Sequence, residues 1–232
     1  MKILLTGVSG QVGWELQRTL MTVGDIIAVD RHQLDLAKPD SIRGTIRDIK
    51  PDLIVNPAAY TAVDKAESEI DLAMAINGVA PGIMAEEAKK LNASIIHYST
   101  DYVFDGNKNN PYQENDVTNP QNIYGKTKLA GEEAISSIGV NHIIFRTSWV
   151  YGLRGKNFLL TMEKLAKERE EIKVVDDQIG SPTWSRMIAE ITAQIITQGQ
   201  NNLTDFFANN GGIYNLSPGG KTSWYGFAKA IF

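Results

Sequence analysis

The chain has no cysteine. That excludes disulfides, thiolate metal sites and cysteine nucleophiles. Histidine is scarce, and His32, His97 and His142 lie far apart without metal-ligand spacing. There is no excess of positive charge: 23 Lys and Arg face 27 Asp and Glu, a net charge of −4, and the basic residues are dispersed among acids. A nucleic-acid surface would need a basic patch. No apolar run is long enough to span a bilayer. The N-terminal run Ile3-Leu4-Leu5 passes straight into glycines and leaves no room for a signal-peptide core. The expectation is a cytoplasmic protein. With 43% hydrophobic and 22% charged residues the composition is that of an ordered globular chain. Its 232 residues accommodate one or two domains.

What is present is an alternation of short apolar runs with helical patterns. Lys2–Leu5, Ile26–Val29, Leu53–Val55, Ser94–Tyr98 and Ile143–Phe145 read as strands buried on both faces. Between them, helical spacing covers Val12–Leu20, Ser41–Ile49 and about Ile70–Leu91. The pattern predicts an α/β fold, a doubly wound parallel sheet with helices on both sides. Asp105–Gln121 is polar, rich in Asn and Pro, and reads as a long surface loop.

After Tyr151 the alternation loosens. Phe158–Glu171 reads as a helix and Ile172–Val175 as a strand. Pro182 reads as the first residue of a helix with Ser181 as its N-cap. No linker divides the chain. Residues 1–150 are expected to form a dinucleotide-binding domain, and 151–232 an interleaved substrate lobe with the remaining sheet and helix segments. Thr222–Phe232 has helical spacing but no stop signal, so the native chain is expected to continue past Phe232.

Gly7-x-x-Gly10-x-x-Gly13 follows the first strand and opens a helix. Alone, such a triplet is a weak signal and could be a ligand-free turn. In this context, glycines permit a tight turn, close approach of the backbone to phosphate, and close helix–strand packing. The helix N-terminus offers free N–H groups to a pyrophosphate. Asp30, ending the second strand, stands where an acid would bond a ribose 2′-hydroxyl, which favours NAD. Arg31 points the other way: it pairs with a 2′-phosphate or is a solvated surface charge. Asp35 reads equally as an adenine contact or a turn residue.

Tyr124 and Lys128 stand four apart in Ile-Tyr-Gly-Lys-Thr-Lys-Leu, on one face of a helix. A phenol titrates near ~10, too high for easy proton exchange at neutral pH. A neighbouring ammonium stabilises phenolate and lowers that value. Thr100, in Ser99-Thr100-Asp101 at a strand end, can hydrogen-bond a carbonyl oxygen that is gaining negative charge. Thr100, Tyr124 and Lys128 together make a carbonyl-reducing site. A surface pair and a turn threonine would account for each residue singly.

This ordered set resembles the extended short-chain dehydrogenase/reductase family, whose fold is of the Rossmann type. Longer segments are similar to its dTDP-4-dehydrorhamnose reductases: Gly10–Leu16, Ala59–Glu67, His97–Gly106, Asn122–Glu132, Phe145–Gly152 and Gly180–Thr183. The resemblance spans Met1 to Phe232. It implies reduction of the 4-keto group of dTDP-4-dehydro-L-rhamnose by NADPH, or by NADH, in a monomer or homodimer. It also implies that Gly10, Gln11 and Val12 meet the pyrophosphate side of the cofactor and that Asp30, Asp35 and Leu36 meet its adenosine. Ala59, Tyr60 and Thr61 would line the cofactor, Thr100 and Asp101 face the sugar, and Trp149 pack on the sugar nucleotide.

Some relatives hold Mg²⁺ with glutamates, but Trp184-Ser185-Arg186 stands in that stretch here, so no metal is expected. Glu67, Glu69 and Asp71 read as a solvated face, and His97 as a satisfied interior histidine. A dehydratase of the same fold would carry Asp-Glu after the threonine, whereas Tyr102 follows Asp101. A related epimerase shares Thr100, Tyr124 and Lys128. A non-catalytic subunit like that of methionine adenosyltransferase remains a further alternative, set against Thr100 and the intact glycine loop.

Overall fold

The computed structural model describes residues 1–232. Six parallel strands form the central sheet: β1 (Lys2–Leu5), β2 (Asp25–Ala28), β3 (Leu53–Asn56), β4 (Ser94–Thr100), β5 (His142–Thr147) and β9 (Gly212–Asn215). Their order is β2-β1-β3-β4-β5-β9. All residues of β3 and β4 are buried, as expected of strands covered on both faces. The helices α2 (Pro39–Ile49), α5 (Ala80–Lys90) and α6 (Ile123–Ile138) pack one face, around Ile42, Ile46, Met84 and Ile135. The other face carries α1 (Gln11–Thr19), α8 (Ser185–Gln198) and α9 (Leu203–Asn210), around Leu16, Leu20, Ile188 and Phe207.

The stretch expected as one helix from Ile70 to Leu91 is three segments. α4 (Ile70–Met74) runs into a π-helical turn over Ala75–Val79, and that turn runs into α5. The wider turn turns Asn77 inward, where its amide bonds the backbone of Tyr60 at both N–H and C=O and the Thr127 hydroxyl. α6 lies close against this turn, and a Cβ at Gly131 would stand 2.2 Å from the Asn77 carbonyl oxygen. Asn122 caps the start of α6 through the Gly125 N–H at 2.8 Å, and Gly139 in the left-handed region, φ 68°, ends it. A short helix, α3 (Val63–Ala66), leads from β3 toward α4.

Beyond residue 150 the chain serves both the sheet and a smaller lobe. α8, α9 and β9 belong to the sheet layers. α7 (Phe158–Glu168) and α10 (Trp224–Ile231) pack together in the lobe beside two small strand pairs: β7 (Ile179–Gly180) with β10 (Thr222–Ser223), and β6 (Val150–Tyr151) with β8 (Thr183–Trp184).

Three expectations need correction here. Ile172–Val175 forms no strand; the Val175 carbonyl instead accepts from the Tyr225 N–H at 3.0 Å. Pro182 does not open a helix, because Thr183–Trp184 pairs with β6 and α8 begins at Ser185. The helix begun at Phe158 stops at Glu168. No helix is long and apolar enough to cross a membrane.

Candidate active site

The strand order reverses between β1 and β3, and a cleft of about 650 Å³ opens outside the C-terminal ends of these strands. This is where a doubly wound sheet binds ligands. Gly7 makes the turn at φ 59°. Gly13 lies behind the loop, where a Cβ would stand 2.1 Å from the Gly7 carbonyl oxygen. Gly10 caps α1 without a side-chain hydrogen bond, and the first turn carries no acid. Gln11 and Val12, which belong to that uncapped turn, line the cleft with Gly7 and Gly10. The cleft thus has a helix N-terminus with free N–H groups in its wall.

The adenosine-side residues Asp30, Arg31, Asp35 and Leu36 also line it. The Asp30 carboxylate accepts from the His32 and Gln33 N–H groups, at 2.8 and 3.3 Å. Asp35 is both a cleft residue and a turn residue, since it accepts from the Ala37 N–H at 3.1 Å. Arg31 is exposed, with its guanidinium 3.9 Å from Asp35. Ala59, Tyr60 and Thr61 form the wall after β3. Tyr60 is fixed through its hydroxyl, which donates to Glu69 at 2.8 Å. Glu69 is therefore not simply solvated. Glu67, though exposed, accepts from the Ile123 N–H at the start of α6; Asp71 is exposed.

Tyr124, Lys128 and Ser99 close the inner end of the cleft. The buried Ser99 hydroxyl has no hydrogen-bond partner within the protein. Thr100 ends β4; its hydroxyl donates to Asp101 and accepts from the Tyr102 N–H, both at 3.2 Å. Burial raises the Asp101 carboxyl to about 6, against the bond from Thr100. Burial also raises the Tyr124 phenol above its ordinary value, while the Thr100 side chain draws it down and the Asp101 charge pushes it up. The Tyr102 ring meets Tyr124 edge-on, with centroids 5.7 Å apart.

Lys128 is 1% exposed. Burial lowers its ammonium to about 8, opposed by the Glu132 charge. It donates to the Tyr98 carbonyl at 2.6 Å and lies 3.1 Å from His97 Nε2. The expectation that Lys128 depresses Tyr124 is not met in this arrangement: the ammonium is turned to β4, and Thr100 is the group that lowers the phenol. His97 is fully buried, with Asn56 beside its Nδ1 and Lys128 beside its Nε2, the interior position expected of it.

Trp149 is held in the smaller lobe by aromatic stacking. It sits at φ 46°, and its indole stacks on Trp224 of α10 with centroids 3.6 Å apart and planes 13° apart. A Cβ at Gly180 would stand 2.5 Å from the indole. The face that the resemblance gave to a sugar nucleotide is thus, on one side, taken by Trp224. Sequence reasoning missed Trp224 against Trp149 and, at the cleft, Lys65, Gly155 and Lys156. No three His, Cys, Asp or Glu side chains group to hold a metal. Arg186 pairs with Glu190 at 2.8 Å and with Glu15 at 3.6 Å.

The sequence profile of the RmlD substrate binding domain matches residues 1–232. The chain belongs to this family. The dTDP-4-dehydrorhamnose reductases of Burkholderia thailandensis and Escherichia coli K12 are 50% identical over 232 residues and 48% over 236. In both cases all of this chain and 77% of the relative are covered. A solved dTDP-4-dehydrorhamnose reductase of Clostridium acetobutylicum superposes with a TM-score of 0.91 at 40% identity, covering all of this chain and 79% of that one. The Bacillus anthracis enzyme of that name, in complex with NADP, gives 0.90 at 39%, with the same coverage. A Thermus thermophilus UDP-glucose 4-epimerase shares the fold alone, with a TM-score of 0.84 at 17% identity over all of this chain and 82% of that one. This chain is an enzyme of the reductase family that its curated relatives represent.

Proposed function

We propose that this enzyme reduces the 4-keto group of dTDP-4-dehydro-L-rhamnose to give dTDP-L-rhamnose, using NADPH and accepting NADH. The observation that carries the reading is the placing of Tyr124 and Lys128 in one cleft with an uncapped helix N-terminus. The residues fit a dinucleotide. The first turn of α1 has free N–H groups for a pyrophosphate, and Ser99 leaves a buried hydroxyl unpartnered in the cleft wall. Asp30 serves the ribose, and Arg31 beside it suits a 2′-phosphate. The Bacillus anthracis relative in complex with NADP supports that preference.

When bound, the reduced nicotinamide supplies a hydride to the carbonyl carbon. Tyr124 keeps its proton at neutral pH because burial raises its pKa, and it delivers that proton to the carbonyl oxygen. The alcohol and a tyrosinate result, and the tyrosinate regains a proton from solvent. The Thr100 hydroxyl turns from Asp101 to donate to the carbonyl oxygen, and Asp101 flanks the sugar. Lys128 holds the nicotinamide ribose. Its ammonium, with a pKa of about 8, is still charged at neutral pH.

The test is the decay of NADPH and NADH absorbance with dTDP-4-dehydro-L-rhamnose, for the wild type and Tyr124→Phe. Turnover is expected in the wild type and a loss of roughly 10²–10⁴-fold in the variant, with cofactor binding kept. Turnover in Tyr124→Phe close to that of the wild type would remove the phenol from the mechanism.

A further inference from the structure

A chain of buried polar side chains runs beneath the cleft. The Thr6 hydroxyl is 2.6 Å from Asn56 Oδ1, and Asn56 Nδ2 is 3.2 Å from His97 Nδ1. His97 Nε2 is 3.1 Å from Lys128 Nζ. All four residues are at most 2% exposed. The proton inventory of this chain does not close as the atoms are drawn. An ammonium is a donor only, so His97 Nε2 must be a bare acceptor. A neutral imidazole then carries its proton on Nδ1, and that N–H cannot face the NH₂ of Asn56.

One rearrangement closes the inventory. Amide O and N are interchangeable in shape, so the Asn56 amide can be turned with Oδ1 toward His97 and Nδ2 toward the Thr6 hydroxyl. Burial and the Lys128 charge hold His97 well below its ordinary pKa, so it stays neutral.

We infer that His97 is a positioning residue, fixed by Asn56 as the Nδ1–H tautomer so that its bare Nε2 accepts a hydrogen bond from Lys128 and keeps that lysine charged beside the cleft. The role of His97 in turnover rests on the reductase reading; its tautomer and its effect on Lys128 do not. The other charged or titratable groups around the pair are Tyr124 and Glu132 on α6, Arg146 of β5 bound to Glu132, and Asp101 after β4. None of these bonds Lys128 Nζ, whose partners are His97 and the Tyr98 carbonyl.

With three histidines in the chain, the ¹⁵N imidazole spectrum of the whole protein can be assigned by substitution. A neutral Nδ1–H tautomer for His97 from pH 6 to 9 is expected. A proton on Nε2, or an imidazolium, overturns the inference, and neither result depends on substrate. Lys128 is then titrated through its ¹³Cε resonance in wild type, His97→Gln and His97→Leu. The Gln carbonyl can replace the acceptor and Leu cannot. His97→Leu should lower the Lys128 pKa by about one unit, a tenfold change, while His97→Gln stays near wild type. The alkaline limb of kcat/KM should move with it. Equal Lys128 titration in all three proteins overturns the inference even if turnover falls. If the wild type shows no turnover while the Lys128 shift appears, the reductase reading fails and the positioning role stands. Should His97→Leu not fold, the wild-type tautomer and His97→Gln still decide.

Discussion

The Glu132 carboxylate and the Arg146 guanidinium form a buried ion pair between α6 and β5, 2.6 Å apart, with side chains 2% and 4% exposed. The contact is bidentate, through Nε at 3.0 Å and Nη2 at 2.6 Å, and Nη1 donates to the Glu114 carbonyl. Breaking such a pair leaves one charge uncompensated, at a cost of roughly 3–5 kcal/mol. Glu132→Gln and Arg146→Met should each lose about that much in urea unfolding. The double variant Glu132→Leu/Arg146→Met should recover most of it, because apolar isosteres of a buried pair are often neutral. Losses below ~1 kcal/mol in both single variants would mean that the pair behaves as an exposed one.

Gly13 has no room for a side chain. Its missing Cβ would meet the backbone oxygen of Gly7, which cannot swing aside as a flexible side chain could. Gly13→Ala should therefore push α1 away from the loop, with a stability loss of about 1–3 kcal/mol. It should also weaken NADPH binding, since the loop and the helix N-terminus lose their register. Unchanged affinity in a fluorescence titration would show that the loop tolerates the shift.

The elements legible in the sequence were those whose environment is uniform. β3 and β4 are buried on both faces, so they appear as apolar runs. β9 was missed because it is a four-residue edge strand starting at a glycine with φ 138°, and its Tyr214 is exposed. Ile172–Val175 was misread because it resembles a strand locally but finds no neighbouring edge, and Val175 stays half exposed. The glycine loop was readable because strand, turn and helix are consecutive. The surroundings of Lys128 were not, because His97 and Asn56 reach it across two strands. Trp224 covers Trp149 from a helix far along the chain, and no local pattern predicts that stack.

Glu87 ties α5 to α2. Its carboxylate is drawn down to about 2, chiefly by the bond from Arg47, against burial, with Lys90 and Arg43 assisting. A carboxylate depressed below its unfolded value stabilises the fold above the unfolded pKa, and that contribution is lost as pH falls through the folded one. Glu87→Gln should cost ~1–3 kcal/mol at pH 7, discounted because the cationic partners are largely exposed. The gap between wild type and variant should shrink from pH 4.5 down to about 2. Urea midpoints measured across that window give the test, and a constant gap would place the stabilisation elsewhere.

Lys128 carries a cost where Glu87 contributes stability, although both contributions rise with pH. Burial lowers its folded pKa from 10.5 to about 8. Between those values the unfolded chain binds more protons than the folded one, so the contribution of this group to stability rises with pH. Below pH 8 the cost of burying the ammonium is fully present, and by pH 10.5 it has been relieved. Lys128→Met has no such titration, and the remaining alkaline groups are common to both proteins. The stability of wild type minus that of Lys128→Met should therefore climb by up to ~3 kcal/mol across the window, the equivalent of the pKa shift. It is read from urea unfolding at a series of pH values. A difference that stays flat would mean that hydrogen bonds to Tyr98 and His97 fully compensate the lost hydration, leaving the lysine with an ordinary pKa. A climb would show that the fold tolerates a destabilising charge at the site where the proposed reduction uses one.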